Sequence, residues 1–317
     1  MSTFVIGESL VDVIHSPAGV TRHPGGSPFA TAVGLALLGR RTQLLTRIGD
    51  DADGTLLRAR LEESGVELVN GSVDNRPTST AHATINERGA ASYEFSLVSD
   101  FPMPPEDPAL RAKIQEHAPR AVHVGSLGAH LEPGRQAVLE WLKLYAGRST
   151  VTYDPNIRLN VMGSAHTVLA QIDEMMPYID VVKASDEDIA ALLGEISPAE
   201  AAKYFLNRGA KLAVITRGPE GVLLATSHES VALPAAMVEV VDTVGAGDAM
   251  TAALIDGLGR FSVLGGEETA HIADLSAPVL RSLGAYAAAA AGIAITRAGA
   301  NPPTRAELQA ESELYAR

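Results

Sequence analysis

The sequence predicts an α/β fold: a doubly wound, mostly parallel sheet carrying a small β-sheet lid. Two observations point to the main sheet. Short apolar runs alternate almost throughout with amphipathic or alanine-rich stretches, and that order is what a parallel sheet with helices on both faces produces. The runs Phe4 to Ile6, Thr42 to Ile48, Ala121 to Val124, Thr150 to Tyr153, Val181 to Lys183 and Leu212 to Thr216 read as buried strands. Ala30 to Leu38, Thr55 to Ser64, Gly134 to Tyr145 and Asp186 to Leu193 read as the helices between them.

A third observation gives the lid. Between Arg76 and Leu97, β-branched and aromatic residues flank the turn Asn86-Glu87-Arg88-Gly89, which is a hairpin signal. A second β-like piece, Leu10 to Ile14, precedes a loop from Pro17 to Pro24. Together they predict a lid built from about residues 9–23 and 73–99 within one domain spanning 1–317. A plain surface hairpin is the alternative that these residues leave open. No internal repeat or low-complexity linker interrupts the chain, although Leu283 to Ile295 is alanine-biased, as suits a helix packed close to a neighbour or a flat ligand.

Composition narrows the function classes. The 317 residues are 46% hydrophobic, enough for a core, and include no cysteine, which excludes disulfides and thiolate metal sites and favours a reducing, cytoplasmic setting. Met1 to Glu8 carries no basic leader and reads as a first strand rather than a signal peptide. The uncharged, alanine-rich stretch Ser282 to Thr296 is shorter than a bilayer requires, so no membrane segment is expected. A net charge of -13 argues against a nucleic-acid surface but not against a nucleotide, which local amides, a metal and a few side chains can hold. Gly-Lys-Ser/Thr, His-Glu-x-x-His and Gly-x-Ser-x-Gly sequences are absent, and the nine histidines are scattered.

The chemistry concentrates in Asp242-Thr243-Val244-Gly245-Ala246-Gly247-Asp248-Ala249-Met250. Gly245 and Gly247 tolerate backbone angles closed to other residues and Ala246 adds little bulk, so successive amides can converge on one anion. The following apolar run reads as a helix whose positive end faces the same point, with Asp248 in its first turn. Asp248 taken alone could equally be an acid stabilised by the helix dipole. A second segment, Gly25-Gly26-Ser27-Pro28 through Gly39, opens a helix with two glycines and ends it with one.

In this order and at this distance, the two glycine segments resemble the signatures of the ribokinase-like carbohydrate kinases of phosphofructokinase-B type, and most of all bacterial fructokinase. Other family landmarks follow as Gly7-Glu8, Asp12, Arg47-Ile48-Gly49-Asp50-Asp51 with Gly54, Asp154-Pro155-Asn156 with Arg158, Lys183 through Asp188, Thr216-Arg217-Gly218 with Gly221, and Ala298-Gly299-Ala300. The resemblance implies that Asp248 removes the proton of a sugar hydroxyl while the amides of Gly245, Ala246 and Gly247 neutralise the transferring γ-phosphoryl group. It implies a sugar site of Asp12, Gly25, Gly26, Asn156 and Arg158, and an ATP site of Lys183, Ser185, Thr216, Gly218 and Gly221, with adenine against the later alanine-rich helices. From the residues alone, Asp12 could face solvent, Arg158 could pair with a surface acid, and Thr216-Arg217-Gly218 could be a simple reversal.

Mg2+ is implied with ATP, held through water by Asp188, and a monovalent cation such as K+ commonly activates this family. Two positions depart from the pattern: Ser185 and Asp188 stand where an Asn and a Glu are usual, and Ala30 replaces an Asn near the sugar-side turn. Fructose is the expected acceptor, because Asp154-Pro155-Asn156-Ile157-Arg158 and Ser92-Tyr93-Glu94-Phe95 resemble the fructokinase and 2-keto-3-deoxygluconate kinase branch. The fuller Tyr and Arg cluster expected for the keto acid is missing beyond Tyr93 and Arg88, and an aromatic content of 4% disfavours a nucleoside. A ribokinase-type kinase and a catalytically inactive sugar-binding sensor are the alternatives. The sensor should have lost Asp248, Gly245 or Gly247, and all three are present. A homodimer through the open edge of the lid is also expected.

Overall fold

The computed structural model describes residues 1–16, 19–85 and 91–315. Among these, nine strands form one sheet in the spatial order Ser230–Leu233, Val222–Ala225, Leu212–Thr216, Val181–Ser185, Thr150–Asp154, Ala121–Gly125, Ser2–Ile6, Arg41–Leu45, Glu67–Leu68. All neighbours are parallel except the two at the Ser230 end. Apolar side chains cover both faces. Val122, Val124, Tyr153 and Val182 belong to one buried cluster, and Val5, Leu44, Val181 and Val214 to the other. The chain winds outward in both directions from Ser2–Ile6 and Ala121–Gly125, so the strand order reverses between them. A crevice therefore opens at the carboxyl ends of those two strands.

Two segments differ from the sequence expectation. The run Thr42 to Ile48 is two strands: Arg41–Leu45 in the main sheet, and Ile48–Gly49 paired with Val73–Asp74 in a separate two-stranded piece. The division falls at Thr46 and the buried Arg47. Thr46 donates its hydroxyl to Ser9 (2.8 Å), and the Arg47 guanidinium reaches Asp74 (2.6 Å) and the carbonyl of Pro77. Hydropathy alone carries no sign of those long-range partners. The segment expected to be a loop before Pro24 is the strand Gly19–Gly25, antiparallel to Leu10–Ser16. It lies at the edge of its sheet, where a proline that lacks an N–H is tolerated.

That smaller sheet has the order Gly19–Gly25, Leu10–Ser16, Ser79–Ile85, Ala91–Ser96. Val73–Asp74 lies outside it, and the turn Asn86 to Gly89, with Arg88, lies outside the described residues. On one face Val11 and Val13 are fully buried in the cluster containing Leu57 and Leu61 of helix Ala52–Ser64. Arg22 fastens the edge strand to the same helix through Asp53 (2.7 Å). The other face turns Leu10, Asp12, Ala81 and Phe95 toward the crevice.

Helix Ala277–Ile295 begins before the alanine-biased stretch. By length and composition it could cross a membrane, with a mean hydropathy of 1.4. Instead Leu280, Leu283, Ala287 and Ala290 are spent in the core beside helix Ala246–Arg260. Behind these helices Asp256, wholly buried, accepts from Arg40, Arg260 (3.0 Å), Arg305 (3.1 Å) and Tyr286 Oη (2.8 Å). Removing that carboxylate strands several donors at once. Asp256→Ala is expected to cost about 3–5 kcal/mol in urea unfolding, and Asp256→Asn, which keeps an acceptor, less. Equal costs, or a loss below about 1 kcal/mol for Ala, would show that the cluster does not bear on stability.

Candidate active site

The crevice holds a cavity of about 520 Å³ lined by acids, amides and glycines, among them Glu8, Asp12, Gly25, Gly26, Ser27, Asn156, Arg158, Lys183, Ser185, Asp188 and Asp248. A larger and more apolar cavity of about 840 Å³ adjoins it, bounded by Gly221, Val222, Met250, Ala288, Ala291 and Gly292. Thr216, Gly218, Thr243 and Gly247 line both. The predicted site residues thus converge on one region. Gly221 and Ala246 fall on its apolar side only.

Gly245 is the N-cap of helix Ala246–Arg260, in the left-handed region at φ 79° and with no side-chain cap. A Cβ there would lie 2.8 Å from Ala300 Cα, so both conformation and space require glycine. A Cβ on Gly247 would lie 2.8 Å from Lys183 Nζ. The amide of Ala246 donates to Thr243 O at 3.3 Å, a long bond. The uncapped first turn presents a partial positive charge to the cavity wall.

Beneath that turn, Lys183 Nζ and Asp154 Oδ2 are 2.8 Å apart and almost completely buried. Thr251 Oγ1 donates toward Asp154 (3.3 Å) and toward Gly247 O (3.0 Å), tying the helix start to the sheet. Burial alone would push the Lys183 ammonium down, but the carboxylates of Asp154, Asp188 and Asp248 outweigh it and hold the lysine charged. Lys183 therefore lies in the floor of the site.

Asp248 stands beside this pair and accepts from Ser27 Oγ at 2.6 Å. Burial, with Asp154 adding to it, raises its carboxyl to about 7 against the opposing Ser27 hydroxyl, Lys183 and Arg158. That value suits a group that must take up a proton near neutrality.

Across the cavity, Asp12 Oδ2 occupies space that a side chain on Gly25 would need: a Cβ there would be 2.2 Å away. Burial raises Asp12 to about 6, with His23 opposing. Gly26, at φ 100°, passes so close to Glu8 O that a Cβ would approach to 2.7 Å. Asn156 also has a positive φ, 39°, and its Nδ2 donates to Ser126 Oγ at 3.1 Å. Arg158 is exposed, donates to Ile157 O (2.8 Å) and, among the described residues, has no carboxylate within ion-pair distance. Ala30 lines the wall and offers no hydrogen bond at the position where the family pattern has an Asn.

Ser185 and Asp188 make a capping box at the start of helix Asp186–Leu193. Asp188 Oδ2 accepts from Ser185 N (2.8 Å) and Oγ (2.7 Å), and its Oδ1 accepts from Ile157 N (2.6 Å). Its principal physical task is therefore to join two loops of the site, with little capacity left for a metal-bound water. Asp186 and Glu187, exposed at the rim, are freer. No three acidic or histidine side chains gather into a metal-ligand set among the described residues. That donor set fits a hydrated ion brought in by phosphates better than one bound to protein alone. Gly221, at φ 94°, would otherwise collide with Leu233 O, so its glycine answers first to the approach of that strand.

The sequence pattern of the pfkB family of carbohydrate kinases matches residues 2–307. The chain belongs to this family. It is a sugar kinase with the ribokinase-like fold. A putative sugar kinase of Pyrococcus horikoshii is 32% identical over 264 residues, covering 80% of this chain and 81% of that protein. A fructokinase of Rhizobium leguminosarum bv. trifolii is 31% identical over 277 residues, covering 84% and 82%. The solved fructokinase of Xylella fastidiosa with bound ATP superposes with a TM-score of 0.83 at 23% identity, over all of this chain and 99% of its own.

Several residues of this pfkB kinase site escaped the sequence reading. Ser27 was read only as a helix opener, and Glu8 and Asp154 only as landmarks. Asp154 precedes Pro155 and the candidate sugar ligand Asn156, yet its own partner is Lys183. Carbon-detected NMR should give Asp248 a midpoint near pH 7, and Ser27→Ala, which removes a donor to the ionised form, should raise it. A midpoint near the ordinary value of about 4 would contradict this.

Proposed function

We propose that this enzyme transfers the γ-phosphoryl group of ATP to a hydroxyl of fructose. The observation that carries the reading is the shared wall: the turn Thr243 to Gly247 divides a polar cavity from an apolar one, with Asp248 on the polar side. Acceptor in the first cavity and adenine in the second would bring the phosphoryl group to the uncapped helix terminus. In the chemical step the acceptor O–H proton passes to Asp248, the acceptor oxygen forms a bond to the γ-phosphorus, and the bond to the bridging oxygen of ADP breaks. The first-turn amides and Arg158 would offset charge on the equatorial oxygens. Asp186 and Glu187, exposed at the rim, would hold the water shell of a Mg2+ ion brought in with ATP, which would supply further charge neutralisation.

Fructose is supported by the fructokinase of Rhizobium leguminosarum among the relatives and by polyol-binding groups at Asp12, Gly25, Gly26 and Asn156. One observation favours a second acceptor, 2-keto-3-deoxygluconate: among the described residues Arg158 has no carboxylate within ion-pair distance, and it could take the one that substrate carries. An ATP-consumption screen over fructose, ribose, 2-keto-3-deoxygluconate, tagatose and nucleosides separates the readings. Fructose should give the highest kcat/KM, and Asp248→Asn should lower kcat by about 10²–10⁴-fold. Because Asp248 works as a base only when ionised, kcat/KM should fall as pH drops below about 7. No stimulation by any sugar, or full activity in Asp248→Asn, would refute the proposal.

The outer edges of Gly19–Gly25 and Ala91–Ser96 pair with no further strand among the described residues. We propose that one of them joins two copies of the chain into a homodimer. Sedimentation should give twice the chain mass, and Val20→Pro at the Gly19–Gly25 edge should leave a monomer if that edge is used. A parent protein that sediments as a monomer at micromolar concentration would refute the dimer.

A further inference from the structure

Glu8, Ser126 and Asn156 follow three adjacent parallel strands, Ser2–Ile6, Ala121–Gly125 and Thr150–Asp154, at the point where the strand order reverses. The kinase chemistry above assigns no task to Glu8, although it is buried, lines the acceptor cavity and carries an ionisable group. Its Oε2 accepts from Gly128 N at 2.8 Å, and the Ser126 side chain lies near enough to the carboxyl to favour its ionised form. Ser126 in turn accepts from Asn156 Nδ2 at 3.1 Å. Ser126 and Asn156 both hold left-handed backbones, at φ 52° and 39°, which cost energy in non-glycine residues and persist only where surrounding contacts impose them. Ser126 N donates to Asp154 O at 2.9 Å and completes the tie between the strand ends.

Resting on the sugar-kinase reading, we propose that Glu8 is a positioning residue for the phosphoryl acceptor: acting through Ser126, it orients the Asn156 amide so that Asn156 Oδ1 is left to accept an acceptor hydroxyl. The direction of each bond follows from what the groups can donate. An ionised carboxylate only accepts, so the Ser126 proton must point to Glu8. The Ser126 lone pair then takes the Asn156 amino group, and the carbonyl end of that amide is the end left over. A neutral side chain at position 8 that can donate to Ser126 removes this polarity. The hydroxyl proton is then free to turn to Asn156, and the amide can present its amino end instead. Burial brings the Glu8 carboxyl to about 7, with Ser126 and Gly128 opposing and Asp248 adding, so the acid ionises in the range where Asp248 becomes an active base.

A kinetic double-mutant cycle at pH 8 on the full-length enzyme tests this, with Glu8→Gln, Asn156→Ala and the pair. Glu8→Gln should raise the acceptor KM by about tenfold, the size of one hydrogen bond, while the KM for ATP stays within about twofold. Asn156→Ala should do the same, and the double variant should be no worse than Asn156→Ala alone. Ser126→Ala, which cuts the link without touching Glu8, should match Glu8→Gln and serves in its place if that variant does not fold. Multiplicative effects, an unchanged acceptor KM in Glu8→Gln, or a parallel rise in the KM for ATP would overturn the inference. If the parent turns over no sugar at all, the reading of the whole site fails instead.

Discussion

Lys183 and Asp154 face each other at 2.8 Å with almost no water around either, under the first turn of helix Ala246–Arg260. Removing both charges from solvent is costly, and their attraction repays the cost only with good geometry and supporting bonds. Thr251 supplies one such bond and reaches Gly247 O as well, so the pair fixes the helix terminus against the ends of strands Thr150–Asp154 and Val181–Ser185. Much of the site follows from this contact. A side chain on Gly247 would press on the ammonium, 2.8 Å from its Cβ, and Asp248 lies between a carboxylate that raises its proton affinity and an ammonium that lowers it.

Around this pair the fold keeps other ionisable groups quiet. His123 is pushed down to about 3 by burial and by Lys183, and His130 to about 4 by burial and, secondarily, by Arg135, so both are neutral at working pH. His130 bridges Gln171 and Tyr153, at 2.8 Å each, as part of the core. On the cavity wall, by contrast, burial raises the carboxyls of Glu8, Asp12 and Asp248 toward neutrality. A polyanionic nucleotide approaching a chain of net charge -13 meets the positive features that count, the uncapped terminus and Arg158, where the phosphates would lie.

The inner strands of the sheet were legible in the sequence because they are buried on both faces and rich in apolar and β-branched residues. Leu212–Thr216 and helices Gly134–Tyr145 and Asp186–Leu193 have the predicted bounds. The reading failed where tertiary partners decide the structure, as at Arg47 and at the edge strand containing Pro24. It also passed over the antiparallel strands Val222–Ala225 and Ser230–Leu233, which are short and flank a tight turn. At the site, a glycine turn ahead of an acid is a local pattern and was visible. The bond from Ser27 to Asp248 spans 221 positions and was not. Motif residues such as Gly49, Gly54 and Gly221 proved to answer to close backbone approach: a Cβ on Gly54 would lie 1.9 Å from Gly49 O. The Ser185 and Asp188 substitutions make sense locally as a capping box.

In the proposed reaction the turn Gly245 to Gly247 receives the transferring phosphoryl group while Asp248 receives the acceptor proton. A crystal structure with fructose, MgADP and a planar aluminium fluoride tests it most directly. The fluoride should lie against the first-turn amides, with the acceptor hydroxyl within about 3 Å of Asp248. A fluoride bound elsewhere, or an acceptor hydroxyl pointing away from Asp248, would contradict it.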